Sequence, residues 1–278
     1  MGVRALATAL TALVLAVPAQ AGVAEGAAYL EARQQPSGGF AEPGRAADPA
    51  LTAWAVLGLR AAGRTPAGPA AYLADKPAPS ATDLALRILA LDALGRDVDA
   101  LVSRLQGLRR ASGAIGASVN STVWAVLALR ADARPAGRRT VRWLLGQQRP
   151  SGGWGWATGG TADSNDTAAA VQALRAAGVG RDARSIARGL RYLRRLQNGD
   201  GGFELSSGRG SDSQSTAWAI QAFLATGRPP GTAAFAYLRR MQRANGSFRY
   251  SARYAITPTW VTAQVLPALA RKPFPLRG

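Results

Sequence analysis

Two kinds of apolar pattern alternate along this chain. The first is a segment opened by threonine and apolar almost all round, as in Thr52–Leu59, Thr122–Leu129, Thr167–Leu174, Thr216–Phe223 and Thr262–Leu269. A looser copy runs from Thr82 to Leu89. Alanine and branched residues fill these segments, which marks a buried helix with close neighbours on every side. The second pattern is amphipathic: in Ser185–Leu196, Ile186, Leu190, Leu193 and Leu196 form a stripe with arginines between them. That spacing belongs to an outer helix with one covered face.

A glycine turn joins each amphipathic segment to the next apolar one. Four copies share one spacing of aromatic-Leu, Gln, Gly and aromatic. They are Tyr29-Leu30, Gln34, Gly38, Phe40; Trp143-Leu144, Gln148, Gly152, Trp154; Tyr192-Leu193, Gln197, Gly201, Phe203; and Tyr237-Leu238, Gln242, Gly246, Phe248. Two further copies are eroded: Tyr72-Leu73 keeps the start and Gly113-Ala114-Ile115 the turn. Glycines 63, 95, 178 and 227 stop the apolar segments as C-terminal caps do.

The pattern predicts an all-α protein of six helix pairs. Outer helices are expected at 25–34, 67–75, 98–110, 136–148, 184–197 and 231–243, and inner helices at 50–62, 80–94, 120–132, 164–177, 213–226 and 258–270. Such an array either carries polar caps at its ends or closes on itself. The last copy is as apolar as the first, so the expectation is a closed ring over 22–272 with a short tail at 273–278.

Composition removes whole classes of chemistry. The 278 residues contain no cysteine and no histidine. Disulfides, thiolate nucleophiles, Cys/His zinc sites and Ser-His-Asp triads are therefore excluded, and no metal or cofactor is expected. The formal charge is +18, and only Lys76 and Lys272 are lysines. The arginines are spread over many segments and form no single stripe, so nucleic acid is not the expected partner. At the N-terminus, Arg4, an apolar run from Ala5 to Val17 and Ala19-Gln20-Ala21 read as a signal peptide cleaved after Ala21, and hence as export.

The repeat itself carries a resemblance. Gln-x3-Gly-x-aromatic behind an aromatic-Leu pair is similar to the Gln-Trp repeat of squalene and other triterpene cyclases, with related repeats in protein prenyltransferase β-subunits. The resemblance spans residues 25–270 and implies the α/α toroid: six inner and six outer helices in a closed ring. It does not imply a reaction, because one fold hosts many functions. Triterpene cyclases protonate their substrate with an Asp-x-Asp-Asp-Thr-Ala motif at an inner-helix start. Asp163-Ser164-Asn165-Asp166-Thr167-Ala168 stands in that place here. The residue that the resemblance makes the proton donor is Asn165, an amide. The resemblance to the prenyltransferases would imply a zinc ion held by Asp, Cys and His, and this chain lacks two of those three types, Cys and His.

Asp48, Asp163 and Asp212 each precede their threonine by four residues, which suits a helix cap. Asp166 has no counterpart in the other copies and is the local specialisation; with Asp163 it is the candidate catalytic pair. The expected ligand-binding rim is Trp156, Asp163, Asn165, Asp166, Asp212, Gln214, Tyr250 and Tyr254. The tryptophans at 54, 124, 218 and 260 are read as core filler. An aromatic, amide and charged mouth over an apolar bowl predicts an exported, non-catalytic binder of a bulky small molecule, a corrinoid or an isoprenoid. The alternatives are a terpene cyclase-like or glycan-cleaving enzyme, and a cell-surface ring whose partner is a membrane transporter or a cell-wall component.

Overall fold

The computed structural model describes residues 22–276; the expected signal peptide lies outside them. Twelve α-helices alternate between an outer and an inner layer. The inner helices are α2 (Pro49–Ala61), α4 (Ala81–Ala93), α6 (Val119–Ala131), α8 (Ser164–Ala176), α10 (Ser213–Ala225) and α12 (Pro258–Leu269). The outer ones are α1 (Val23–Glu31), α3 (Pro69–Ala74), α5 (Asp99–Gly107), α7 (Arg138–Gly146), α9 (Arg184–Arg195) and α11 (Thr232–Arg240). Each inner helix packs on the next, and α12 packs back on α2. The ring is closed, as the pattern predicts.

The repeat residues explain why each unit folds and how it joins the next. The threonine hydroxyl pins the turn to the inner helix: Thr167 Oγ1 accepts from the Trp154 N–H at 2.9 Å, and Thr52, Thr216 and Thr262 do the same for Phe40, Phe203 and Phe248. The glutamine amide ties its own turn to the start of the following outer segment. Gln148 Nε2 donates to Gly152 O at 2.7 Å and to Ser185 O at 2.8 Å. The turn must admit positive φ. Gly152 has φ 98°, and a Cβ there would meet Arg188 O at 2.8 Å, which only glycine avoids cheaply.

The same clamp closes the ring. Gln242 Nε2 donates to Gly246 O at 3.2 Å and to Gly22 O at 2.8 Å. A second bond crosses the closure, because α12 opens on Thr257, whose side chain makes no cap. The Glu42 carboxylate supplies it instead, accepting from the N–H groups of Thr259 at 3.0 Å and Trp260 at 2.9 Å. A carboxylate at a helix N-terminus satisfies orphan donors and meets the positive end of the dipole.

Two features differ from the sequence expectation. In the second unit the cap is Ser80, so buried Leu84, rather than Thr82, holds the register of the threonines. With the turn motif eroded there, Arg87 and Arg104 hold the 76–80 segment by donating to the carbonyls of Lys76 and Ala78. The residues after α12 are no loose tail. Phe274 is 3% exposed and packs its ring at 5.9–6.4 Å from those of Trp54, Trp124 and Trp218, plugging the far end of the ring. Its N–H donates to Gln172 Oε1 at 2.8 Å.

Candidate functional site: an aromatic bowl at the inner-helix N-termini

All six inner helices start at one end of the ring, around a cavity of about 480 Å³. The residue two after each cap lines it: Ala50, Thr82, Asn120, Asn165, Gln214 and, counting α12 from Pro258, Trp260. So does the residue one turn deeper: Trp54, Leu86, Trp124, Ala169, Trp218 and Gln264. Positions four apart share a helix face, so the upper ring is mostly polar and half of the lower one is tryptophan.

The floor is an edge-to-face cluster. Trp54, Trp124 and Trp218 lie 5.2–5.6 Å apart, with planes inclined at 81–86°. Such pairs prefer this geometry and fix one another's rotamers. These tryptophans are therefore both core and cavity wall, rather than core filler alone. Gln264 Oε1 accepts from Trp218 Nε1 at 3.2 Å and from Gln214 Nε2 at 2.8 Å, which orients both rim and floor.

The wall on the α6–α8 side carries the acids. Asp163 caps α8, its Oδ1 accepting from the Asp166 N–H at 2.8 Å. Asp166, 7% exposed, accepts from Asn120 Nδ2 at 2.8 Å. Burial pushes the Asp166 carboxyl up, and the neighbouring Asp163 carboxylate pushes it further, to about 7. Burial also raises Asp163. A carboxyl held this way carries a proton for part of the time near neutrality, which an ordinary aspartate does not. Asp83 completes the acidic side. Neither lysine nor arginine lines the cavity among the described residues, although the chain carries a formal +18.

Of the residues expected at the rim, Trp156, Asp163, Asn165, Asp166 and Gln214 come together here. Asp212, Tyr250 and Tyr254 are not among the lining residues. The Asp212 carboxylate is occupied as a buried cap, accepting from the N–H and Oγ of Ser215. Tyr250 sits two residues after its turn aromatic, where its backbone carbonyl accepts from the Ser213 N–H. Tyr254 is exposed, with the Arg253 guanidinium over its ring. Trp156 occupies the same register position as Tyr250, and its carbonyl accepts from the Asn120 N–H at 3.1 Å; it is part of the repeat rather than an addition to it. Asn120, Asp83 and Gln264 are the lining residues that sequence reasoning missed. Their signal was the position two, three or six after the cap, with α12 counted from Pro258, open to view once all six copies are aligned on the caps.

Residues 114–259, more than half of the chain, match the squalene-hopene cyclase C-terminal domain family. The chain belongs to that family. Solved structures with the same architecture include a protein from Actinoplanes, at 19% identity and a TM-score of 0.71, over 91% of this chain and 99% of that one. Another is a variant of the type II terpene cyclase MstE from Scytonema in complex with geranylgeranyl dihydroxybenzoate, its substrate, at 16% identity and a TM-score of 0.69, over 91% and 97%. A glycosidase in complex with glucose matches at 12% identity and a TM-score of 0.62, over 91% and 96%. At these identities the likeness shows the fold alone. No curated protein matches the sequence.

Proposed function

We propose that this protein binds a bulky, uncharged isoprenoid in the bowl and holds it without converting it. One observation carries the reading: five tryptophans (54, 124, 156, 218 and 260) and three aspartates line the cavity, and no cation does. The aromatic floor offers apolar area to a hydrocarbon body, while the amides and carboxyls of the upper ring orient a hydroxyl or carbonyl. A diphosphate head would meet carboxylates and no partner, a costly burial of charge. A cavity of about 480 Å³ suits a folded isoprenoid better than a corrinoid, whose macrocycle is far broader. The substrate in the MstE complex, geranylgeranyl dihydroxybenzoate, is an isoprenoid without a diphosphate.

Calorimetric titration with geranylgeraniol and with geranylgeranyl diphosphate tests this. The alcohol is expected to bind at least tenfold more tightly, a difference of about 1.4 kcal/mol or more. Tighter binding of the diphosphate, or binding of neither, would overturn the reading.

A second reading, an acid-catalysed cyclisation, rests on Asp166. Its raised carboxyl faces the bowl with a proton available near neutrality. The same titration, followed by product analysis, separates the two: a holder returns geranylgeraniol unchanged, and an enzyme returns a cyclised product.

A further inference from the structure

The bowl is not the only space at this end of the ring. A groove of about 710 Å³ runs beside it over the starts of α4 and α6, with Pro79, Ala81, Leu108 and Ala117 among its walls. Leu108 is one of few large apolar side chains left 41% exposed. Bowl and groove share three wall residues: Thr82, Asp83 and Trp156. Thr82 and Asp83 belong to the first turn of α4, which the ring holds fixed. Trp156 is different: it sits on a loop, lines both spaces and is 59% exposed.

Its backbone, by contrast, is held. The Trp156 carbonyl accepts from the Asn120 N–H at 3.1 Å, and buried Trp154 anchors the loop by donating from Nε1 to Leu144 O at 2.8 Å. At Gly155 a Cβ would meet Thr161 O at 2.1 Å, so the loop is closed too tightly for any other residue. A fixed backbone carrying an exposed indole makes a partition whose side chain alone decides whether the spaces connect. A tryptophan side chain has few rotamers, so the partition is stiff.

We propose that Trp156 sets the length of the ligand: chains that fill the bowl end against its ring, and longer ones extend into the Leu108 groove only when the ring is absent or turned aside. This rests on the isoprenoid reading above and assigns the groove as its continuation. Burying further hydrocarbon strengthens binding with each methylene removed from water. Affinity is therefore set to climb with chain length until the partition is met, then to level off.

The test is a binding series of geraniol, farnesol, geranylgeraniol and solanesol against wild type, Trp156→Ala and Trp156→Phe. Wild type is expected to gain affinity up to geranylgeraniol and none beyond. Trp156→Ala is expected to bind solanesol at least tenfold more tightly than wild type, about 1.4 kcal/mol, with Trp156→Phe between the two. Adding Leu108→Arg to Trp156→Ala should cancel the gain for solanesol alone, which locates the extra length in the groove. Unchanged length profiles, or equal weakening of every alcohol, would overturn the role of Trp156 and leave the bowl reading standing. Failure of wild type to bind any alcohol would sink both.

Discussion

At the scale of single residues, Asp166 is where the ring departs most from the bland chemistry of its neighbours. Its folded carboxyl lies at about 7, well above the ordinary 3.8, chiefly through burial and then through Asp163. A group raised in this way binds its proton more tightly in the folded chain than in the unfolded one. Its contribution is fully present below about pH 4 and is lost as pH rises through 7. Asp166→Asn removes the titration and keeps a polar neighbour for Asn120. Melting temperatures measured from pH 4 to 8 should therefore fall more steeply for wild type than for the variant, with the variant the more stable at pH 8. Parallel curves would contradict the assignment. Asp166 was visible in the sequence as an acid beside its cap, whereas its partner Asn120 was not; aligned on the caps, Asp83 holds the same position in the second unit, so Asp166 has the counterpart that the sequence reading denied it. Their bond spans 46 residues and two helices, and no local pattern reports it.

At the scale of elements, the repeat is a set of clamps, and this is why so much of the fold was legible. In the four intact units the glutamine amide donates to the carbonyl of its turn glycine and the threonine hydroxyl accepts from the N–H of the turn aromatic, so spacing encodes contact. The observed helices follow the expected ones closely except where a clamp is missing. The second unit has neither glutamine nor turn glycine; its outer helix shrinks to Pro69–Ala74 and its inner register slides by two residues, onto Leu84. The place of Phe274 in the short tail was not legible for a related reason: one phenylalanine in a proline-rich end has no periodicity, and only the tryptophan floor gives it a place. Rim residues were legible where they belonged to the cap register and illegible where contacts close by in the chain hold them away from the bowl. Asp212 was drawn off into a cap, and Tyr250 and Tyr254 into the last loop.

At the scale of the whole molecule, closure turns a row of helix pairs into a vessel. It puts six helix N-termini around one mouth, and Phe274 seals the other. The aspartates at the mouth meet the positive ends of the dipoles, which leaves the bowl without a cation and without a strongly unbalanced field. Closure can be measured against an internal standard. Gln148→Ala and Gln242→Ala remove the same clamp, one inside the ring and one at the seam. Each leaves backbone carbonyls without their donor, at a cost of roughly 1–3 kcal/mol. Chemical denaturation should give similar losses for the two in a closed ring. A loss for Gln148→Ala with none for Gln242→Ala would mean that the seam does not hold.

The central claim is that the tryptophan bowl is the binding site, and a crystal structure of the protein with geranylgeraniol tests it most directly. The account predicts density for the hydrocarbon against Trp54, Trp124 and Trp218, with the hydroxyl beside Asn120, Asn165 or Asp166. Density lodged instead at the opposite end, among Arg175, Arg271 and Lys272, or an empty bowl under saturating ligand, would contradict it.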